Sequence, residues 1–323
     1  MTTRRLLLGC AASAALAGPS SAQGEWPQRS IRMISPFPPG GAADLLARTL
    51  AEELTPVLRQ SVVVENRTGA GGSVGTEAAV RSAPDGHTLL MGSTGPISIN
   101  PSLLRLSYDP QRDLMPISMV AAVASVLVVH PAVQARTLQE LLALARAEPG
   151  KLSYGSSGIG SAQHLFMELL KQQANLDITH IPYRGTGPAM VDTVGGRLTM
   201  MFDTTPTALP HIRDGRVRAL AVTASRRDSA LPDVPTIAEA GLPGYEALGW
   251  YGLFAPAGTP QPVIERVQRE VSQLLARPDF RAKLSGQGVE ALNTTPAETT
   301  AMLASERARW AEVIRRGNIR VEG

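Results

Sequence analysis

Two serine arrangements invite a nucleophile. Gly71-Gly72-Ser73-Val74-Gly75 matches the GxSxG pattern, which in some hydrolases lifts a serine onto a sharp strand-to-helix turn. Ser161 and His164 stand three apart, a spacing that sets a hydroxyl and an imidazole on one helical face. Neither makes an assembled centre. The first lies inside NRTGAGGSVGTEAA, where many glycines already account for the pattern as a loop entering a helix, and no His-Asp pair stands near it. In the second, Ser161 occupies an N-cap position and His164 comes one turn later, the arrangement of a cap and a polar pocket residue. The five histidines, at 87, 130, 164, 180 and 211, show neither HxxxH nor HExxH. There is no GxxxxGK[ST], and no GxGxxG follows a predicted strand. No catalytic residue, metal site or cofactor is expected.

The glycine turns suit binding better than catalysis. Ile31-Arg32-Met33-Ile34 reads as a strand, and LLARTLAEEL, with Leu46, Leu50 and Leu54 at helical spacing, reads as a helix. Between them stands PFPPGGAAD, residues 36–44. Gly40 and Gly41 let backbone approach a ligand, and the helix start offers unpaired N–H groups at the positive end of its dipole. That is a seat for a carboxylate or phosphate which needs no side-chain charge. Phe37 can cover an apolar part of the ligand. The same residues also fit a plain tight turn, with Asp44 as a first-turn partner of the dipole. A second such loop, YGSSGIGSAQH, places Ser156, Ser157, Gly158, Gly160 and Ser161 before a helix. A third, Gly92-Ser93-Thr94-Gly95, follows the strand-like TLLMG.

The elements that must position these loops alternate. Strands are expected at 31–35, 61–65, 88–92, 124–129, 178–181, 198–202, 218–223 and 249–255. Helices are expected at 42–54, 75–82, 137–147, 161–173, 187–195, 206–213, 260–276, 278–286 and 296–315. Thr137 and Glu140 form a capping-box pattern at one helix start. The alternation predicts an α/β fold with mainly parallel sheets. Irregular stretches at 110–124 and 224–236 suggest that the chain crosses into a second lobe and returns. A cleft between lobes is a common place for a ligand.

The 323 residues include 43% hydrophobic and 18% charged residues, an ordinary globular balance. The first 22 residues read as a cleaved export signal: Arg4 and Arg5, an apolar stretch, then Ser20-Ser21-Ala22. Removing Arg4 and Arg5 with it takes two positive charges from the formal +3, leaving +1, which gives no reason to expect nucleic acid. Cys10, the single cysteine, leaves with it, so no disulfide or thiol chemistry is expected in the mature chain. No later stretch has the length and apolarity of a membrane span.

The motifs PFPPGGAAD, VVENRTGAGGSVG, APDGHTLLMGS, YGSSGIGSAQHL, PYRGTGPAMVD, GGRLTMMFD and LPDVPTIAEAGLPGYE occur in order across residues 25–323. In combination they resemble the substrate-binding receptors of tripartite tricarboxylate transporters, the Bug family of extracytoplasmic solute receptors. The resemblance implies a two-lobed periplasmic-binding-protein fold of the type II class, with the ligand cleft between lobes. It implies lobe 1 at 25–121 and 225–323, and lobe 2 at 122–224. It implies a periplasmic, monomeric receptor for a small carboxylate, partnered by a membrane permease or, in some relatives, by a sensor. Its pocket loops correspond here to Phe37, Gly40, Gly41, Ala42 and Ala43, to Ser93, Thr94 and Asn100, to Ser156, Ser157, Gly158, Gly160, Ser161 and His164, and to Asp203. Ala43 stands where a threonine or serine is common, Ile159 where an asparagine is typical, and Pro38 where an alanine is common. The lost polar groups point to a less polar ligand than citrate.

Overall fold

The computed structural model describes residues 26–321. The expected export signal lies outside them. The first strands form where the alternation predicts. β1 (Ile31–Ser35), β2 (Val62–Asn66) and β3 (Thr88–Ser93) lie parallel in the order β2-β1-β3. Parallel neighbours need crossover connections, supplied by α1 (Ala42–Leu58) and α2 (Ser73–Val80). α1 buries Leu46, Leu50 and Leu54 on one face, and it continues past 54 with Pro56 in its last turn.

The main departure from expectation is β4 (Leu114–Val129). This 16-residue strand begins well before 124 and absorbs most of the stretch expected to be irregular. Two short helices, α3 (Asn100–Leu103) and α4 (Pro110–Asp113), precede it. LMPISMVAAVASVLVV lacks polar alternation because nearly all of it is buried, as in strands covered on both faces. Pro116 is tolerated because the register with the neighbouring strand slips between Pro116 and Ser118, and again between Met119 and Ala121.

β4 is shared by two halves of one sheet. Its residues 114–124 pair antiparallel with β9 (Leu248–Pro256), which in turn borders β3. Residues 125–129 pair antiparallel with β7 (Met200–Thr204), and 126–129 also with β8 (Arg218–Val222). Beyond β7 lie β5 (Ser153–Ser156) and β6 (Thr179–Pro182), both parallel. β5 has four residues, one of them Gly155, and offered no strand signal. The outer strands are thus parallel, but the centre is antiparallel, contrary to the expected mainly parallel sheet. Strands that carry the chain over and back run in opposite directions.

α5 (Leu138–Ala147), α6 (Ala162–Ala174), α7 (Thr186–Val194) and α8 (Thr205–Arg213) accompany the second half. The chain returns through β9, then α9 (Gln261–Ala276), α10 (Pro278–Ser285), β10 (Val289–Ala291) and α11 (Pro296–Arg316). Each half has its own core. Met33, Leu50, Leu89, Val120, Leu253 and Val267 belong to the first. Leu127, Leu142, Phe166, Phe202, Tyr245 and Trp310 belong to the second. β4 supplies both, and α11 places Trp310 in the second core beside Phe166 and Leu303 in a further cluster with Ile34 and Phe254.

Residues 231–247 pack on the second half, while Arg226 and Ser229 before them reach Glu290 and Ser285 of the first. Ile237 N–H donates to Val222 O at 2.9 Å, Ala247 N–H donates to Thr223 O at 2.9 Å, and the Tyr245 hydroxyl donates to Phe166 O at 2.8 Å. We therefore propose that the chain crosses between lobes within β4, near Ala124–Ser125, and returns near Leu248 rather than at 225.

Candidate functional site

A cavity of about 540 Å³ opens between the two halves, within the usual range for small-molecule sites. Its first wall is the turn into α1. Gly40 takes the left-handed φ of 82° that the turn requires. Gly41 is the N-cap, in extended conformation, and no side chain caps the helix. Asn66 fixes the turn from behind, its Nδ2 donating to Phe37 O at 2.9 Å and to Asp44 Oδ1 at 2.8 Å. Asp44 is buried but does not line the cavity; it accepts from Gly40 N–H at 2.9 Å and Arg48 Nε at 3.0 Å. Burial pushes its pKa up, but the bonds from Arg48, Gly40 and Asn66 outweigh this and hold the carboxyl below its ordinary range. The buried amides of Ala42 and Ala43, which line the cavity, are left without an intrahelical acceptor.

The floor is the shared centre of the sheet. Ser93, Thr94, Ser125, Trp250 and Tyr251 line it. Ser93 Oγ and Trp250 Nε1 are buried and have no hydrogen-bond partner in the protein. Thr94 Oγ1 accepts from Trp250 N–H at 2.9 Å, which ties the strand end to β9. Unpaired buried polar atoms call for an explanation, and a bound ligand supplies one.

The second wall comes from the starts of α6, α7 and α8, with Ser157, Gln163, Phe166, Thr186, Met190, Asp203, Thr204 and Thr207 on the cavity. α7 and α8 start without a side-chain cap bond, at Gly185 and Thr204. Asp203 is 1% exposed and accepts from Thr204 N–H at 2.8 Å. Burial raises its pKa to about 7, although bonds from Thr207, Thr204 and Thr186 oppose the rise. No lysine or arginine lines the cavity.

This shift has a testable sign. A carboxyl whose folded pKa lies above its unfolded value of 3.8 favours the folded state fully below that value and loses the contribution as pH rises through about 7. Asp203→Asn removes the cost of holding the buried charge. We predict that the variant and the wild type have similar melting temperatures near pH 4, and that the variant gains as pH rises to 8, by up to about 4 kcal/mol. Thermal unfolding across that range is the check, and a gap that stays constant with pH would refute it.

Of the residues expected at the site, Phe37, Gly40, Gly41, Ala42, Ala43, Ser93, Thr94, Ser157 and Asp203 line the cavity. Asn100, Ser156, Gly158, Gly160, Ser161 and His164 do not; they build the layer behind it. Asn100 Nδ2 donates to Ser73 Oγ at 2.8 Å. Ser156 Oγ bonds His180 Nε2 at 2.7 Å and accepts from Gly158 N–H at 3.1 Å. His164 stacks on His180 with ring centroids 4.2 Å apart. Burial is the main cause that lowers the pKa of both, to about 4 and about 3, so both rings are neutral at neutral pH. Close approach of glycines lets this loop meet the 70–72 turn: a Cβ on Gly71 would lie 2.4 Å from Ile159 O.

Neither serine nominated as a nucleophile has a base. Ser73 Oγ is bonded by Asn100, Ser161 Oγ accepts from the His164 backbone N–H at 3.4 Å, and His164 Nδ1 accepts from Gly160 N–H at 3.3 Å. Among the described residues no cluster of histidine, cysteine and acidic side chains could hold a metal ion, and no helix is long and apolar enough to cross a membrane. Trp250, Tyr251, Ser125, Phe166 and Thr186 escaped the sequence analysis. Trp250 and Tyr251 sit in a strand that reads as core, and PYRGTGPAMVD marked the Thr186 region without singling out a residue.

Residues 46–319 match the family described as the tripartite tricarboxylate transporter family receptor. Protein BugT of Bordetella pertussis is 41% identical over 306 residues, covering 94% of each chain. The structure of Rhodopseudomonas palustris Rpa4515 with adipate aligns with a TM-score of 0.89 at 34% identity, covering 91% of this chain and 99% of that one. The periplasmic binding protein BugD aligns with a TM-score of 0.88 at 35% identity, covering 92% of this chain and all of that one.

Proposed function

The chain belongs to the tripartite tricarboxylate transporter receptor family, and on that premise we propose that it captures a small carboxylate in the periplasm and delivers it to a membrane permease of the tripartite type. Its relatives are two-lobed solute receptors, not enzymes. The export signal expected at 1–22 supports the location. The observation that carries the ligand class is the uncapped start of α1, opening into an interlobe cavity beside the unpartnered Ser93 Oγ and Trp250 Nε1. Backbone donors at a helix start hold an anion without a cationic side chain. The adipate bound to Rpa4515, a relative of the same family, supports this reading.

Apolar side chains are spread over all three surfaces, with Phe37 on the first wall, Trp250 in the floor, and Phe166 and Met190 on the second wall. A carboxylate with a hydrocarbon body fits this lining better than a densely polar acid. The test is a thermal-shift panel of mono-, di- and tricarboxylates and amino acids, run on protein unfolded and refolded to strip any retained ligand. A binder present at 100 times its Kd stabilises the folded form by about 2.7 kcal/mol. That is a shift of several degrees. Silence across the whole panel overturns the carboxylate reading. Delivery is tested by uptake of the identified acid in cells with and without the receptor gene.

A further inference from the structure

The cavity changes character between its inner end and its mouth. The inner end holds the amides of Ala42 and Ala43 and the hydroxyls of Ser93, Ser125 and Thr204, all on buried residues. The exposed side chains that line the same cavity are Pro39 and Leu45 on the first wall, and Pro188, Val191 and Pro210 on the second. All five are apolar. Leu45 and Val191 are 39% and 61% exposed, and they stand on opposite halves, on α1 and α7. The prolines have no N–H to offer. Asp203, the one acid on the cavity, belongs to the buried inner end, and burial lowers the pKa of His211, so its imidazole is neutral at neutral pH. Single exposed apolar side chains are ordinary, but five gathered round one opening mark a binding surface. The passage is also long. α8 lines it from Thr204 to Pro210, about 9 Å of helix, and α7 from Thr186 to Val191, about 7.5 Å.

We infer that the mouth is an outer subsite for the hydrocarbon body of the ligand, and that the receptor prefers carboxylates whose body extends to Leu45 and Val191 over short acids that stay at the inner end. The inference rests on the carboxylate reading above. An extended carbon chain advances about 1.2 Å per bond, so about eight carbons follow α8 from one end to the other. Each methylene that passes between Leu45 and Val191 covers apolar surface that otherwise faces water. It adds roughly threefold to fourfold in affinity. A carboxylate at the far end of such a chain stays hydrated at the mouth, so monoacids and diacids share the dependence on length.

The experiment is calorimetry at pH 8 with straight-chain monoacids and α,ω-diacids of four, six and eight carbons, on protein stripped of retained ligand. Wild type is expected to bind the eight-carbon acid of at least one series about tenfold or more tighter than the four-carbon acid of that series. The double variant Leu45→Ser/Val191→Ser, altered only at exposed positions, is expected to lose most of that gain, so the eight-to-four ratio falls by about tenfold. Val57→Ser, at another exposed apolar position of α1 that does not line the cavity, is expected to keep the wild-type ratio. A wild type that binds the four-carbon acids tightest, or a length dependence that the double variant leaves intact, overturns the inference while the carboxylate reading stands. Failure of every acid overturns both. Circular dichroism checks the fold of each variant, and if the double variant does not fold, Leu45→Ser and Val191→Ser singly carry the same test.

Discussion

Replacing Gly41 by valine is expected to weaken ligand binding by ~100-fold or more, in a protein that folds as before. Two facts separate binding from folding here. Gly41 has φ −77° and ψ 163°, a region that valine prefers, and a Cβ built on it meets only Pro38 O, at 3.5 Å. The strained position of the turn is its neighbour Gly40, so Gly41 is not needed for its conformational freedom. Gly41 is, however, the N-cap of α1 and lines the cavity. Side chains at an N-cap lie over the N–H groups of the second and third helical residues, which is how serine and threonine cap helices. An isopropyl group there covers the anion seat. Gly41→Ser provides an independent arm: its hydroxyl bonds the same amides, so helix and protein gain roughly a few tenths of a kcal/mol while ligand affinity falls. Calorimetry with the tightest acid, alongside circular dichroism, reads both variants. Unchanged affinity in folded Gly41→Val would mean that the carboxylate sits elsewhere and this loop is only a turn.

Trp310→Ala is expected to lose about 3–5 kcal/mol of stability, and with it some ligand affinity. Trp310 is fully buried, and its ring stacks on Phe166 with centroids 5.5 Å apart. Its Nε1 donates to Glu306 at 3.1 Å, and the Arg309 guanidinium lies 5.4 Å from its centroid. Phe166 lines the cleft, so the indole supports the cleft wall from behind. The variant also probes how the lobes are assigned, because Trp310 lies within 225–323, a stretch the sequence predicts for lobe 1, yet packs in the core of the second half. Hydrogen exchange should show faster opening in α6 and β7 than in β1 and β3. A loss below about 1 kcal/mol, or loosening centred on the first half, would contradict the packing argument.

What was legible in the sequence is mostly what neighbours along the chain decide. β1 forms at 31–35, and α1 starts at Ala42 directly after the two glycines. Thr137 caps its helix by accepting from Glu140 N–H at 3.2 Å, as the Thr-x-x-Glu pattern implies. Such features depend on local hydrogen bonds and backbone preferences, so a short window of residue types carries them. The family, and through it the two-lobed receptor fold, was legible in the order of many short motifs.

Tertiary structure decided which residues reach the cleft. Asn100 and His164 looked like ligand groups because they are polar and stand beside glycine loops. They hold those loops instead, Asn100 Nδ2 on Ser73 and His164 on His180 and Gly160, although Asn100 Oδ1 stays buried without a partner. Trp250 looked like core, and it both packs in a core cluster with Phe254 and lines the cavity. β4 looked irregular because alternation marks a strand only when one face meets water, and this strand is covered along nearly its whole length while serving two cores. A residue type sets the bonds a side chain can make. Which partner takes them depends on segments far away in the chain, and only the fold brings those together.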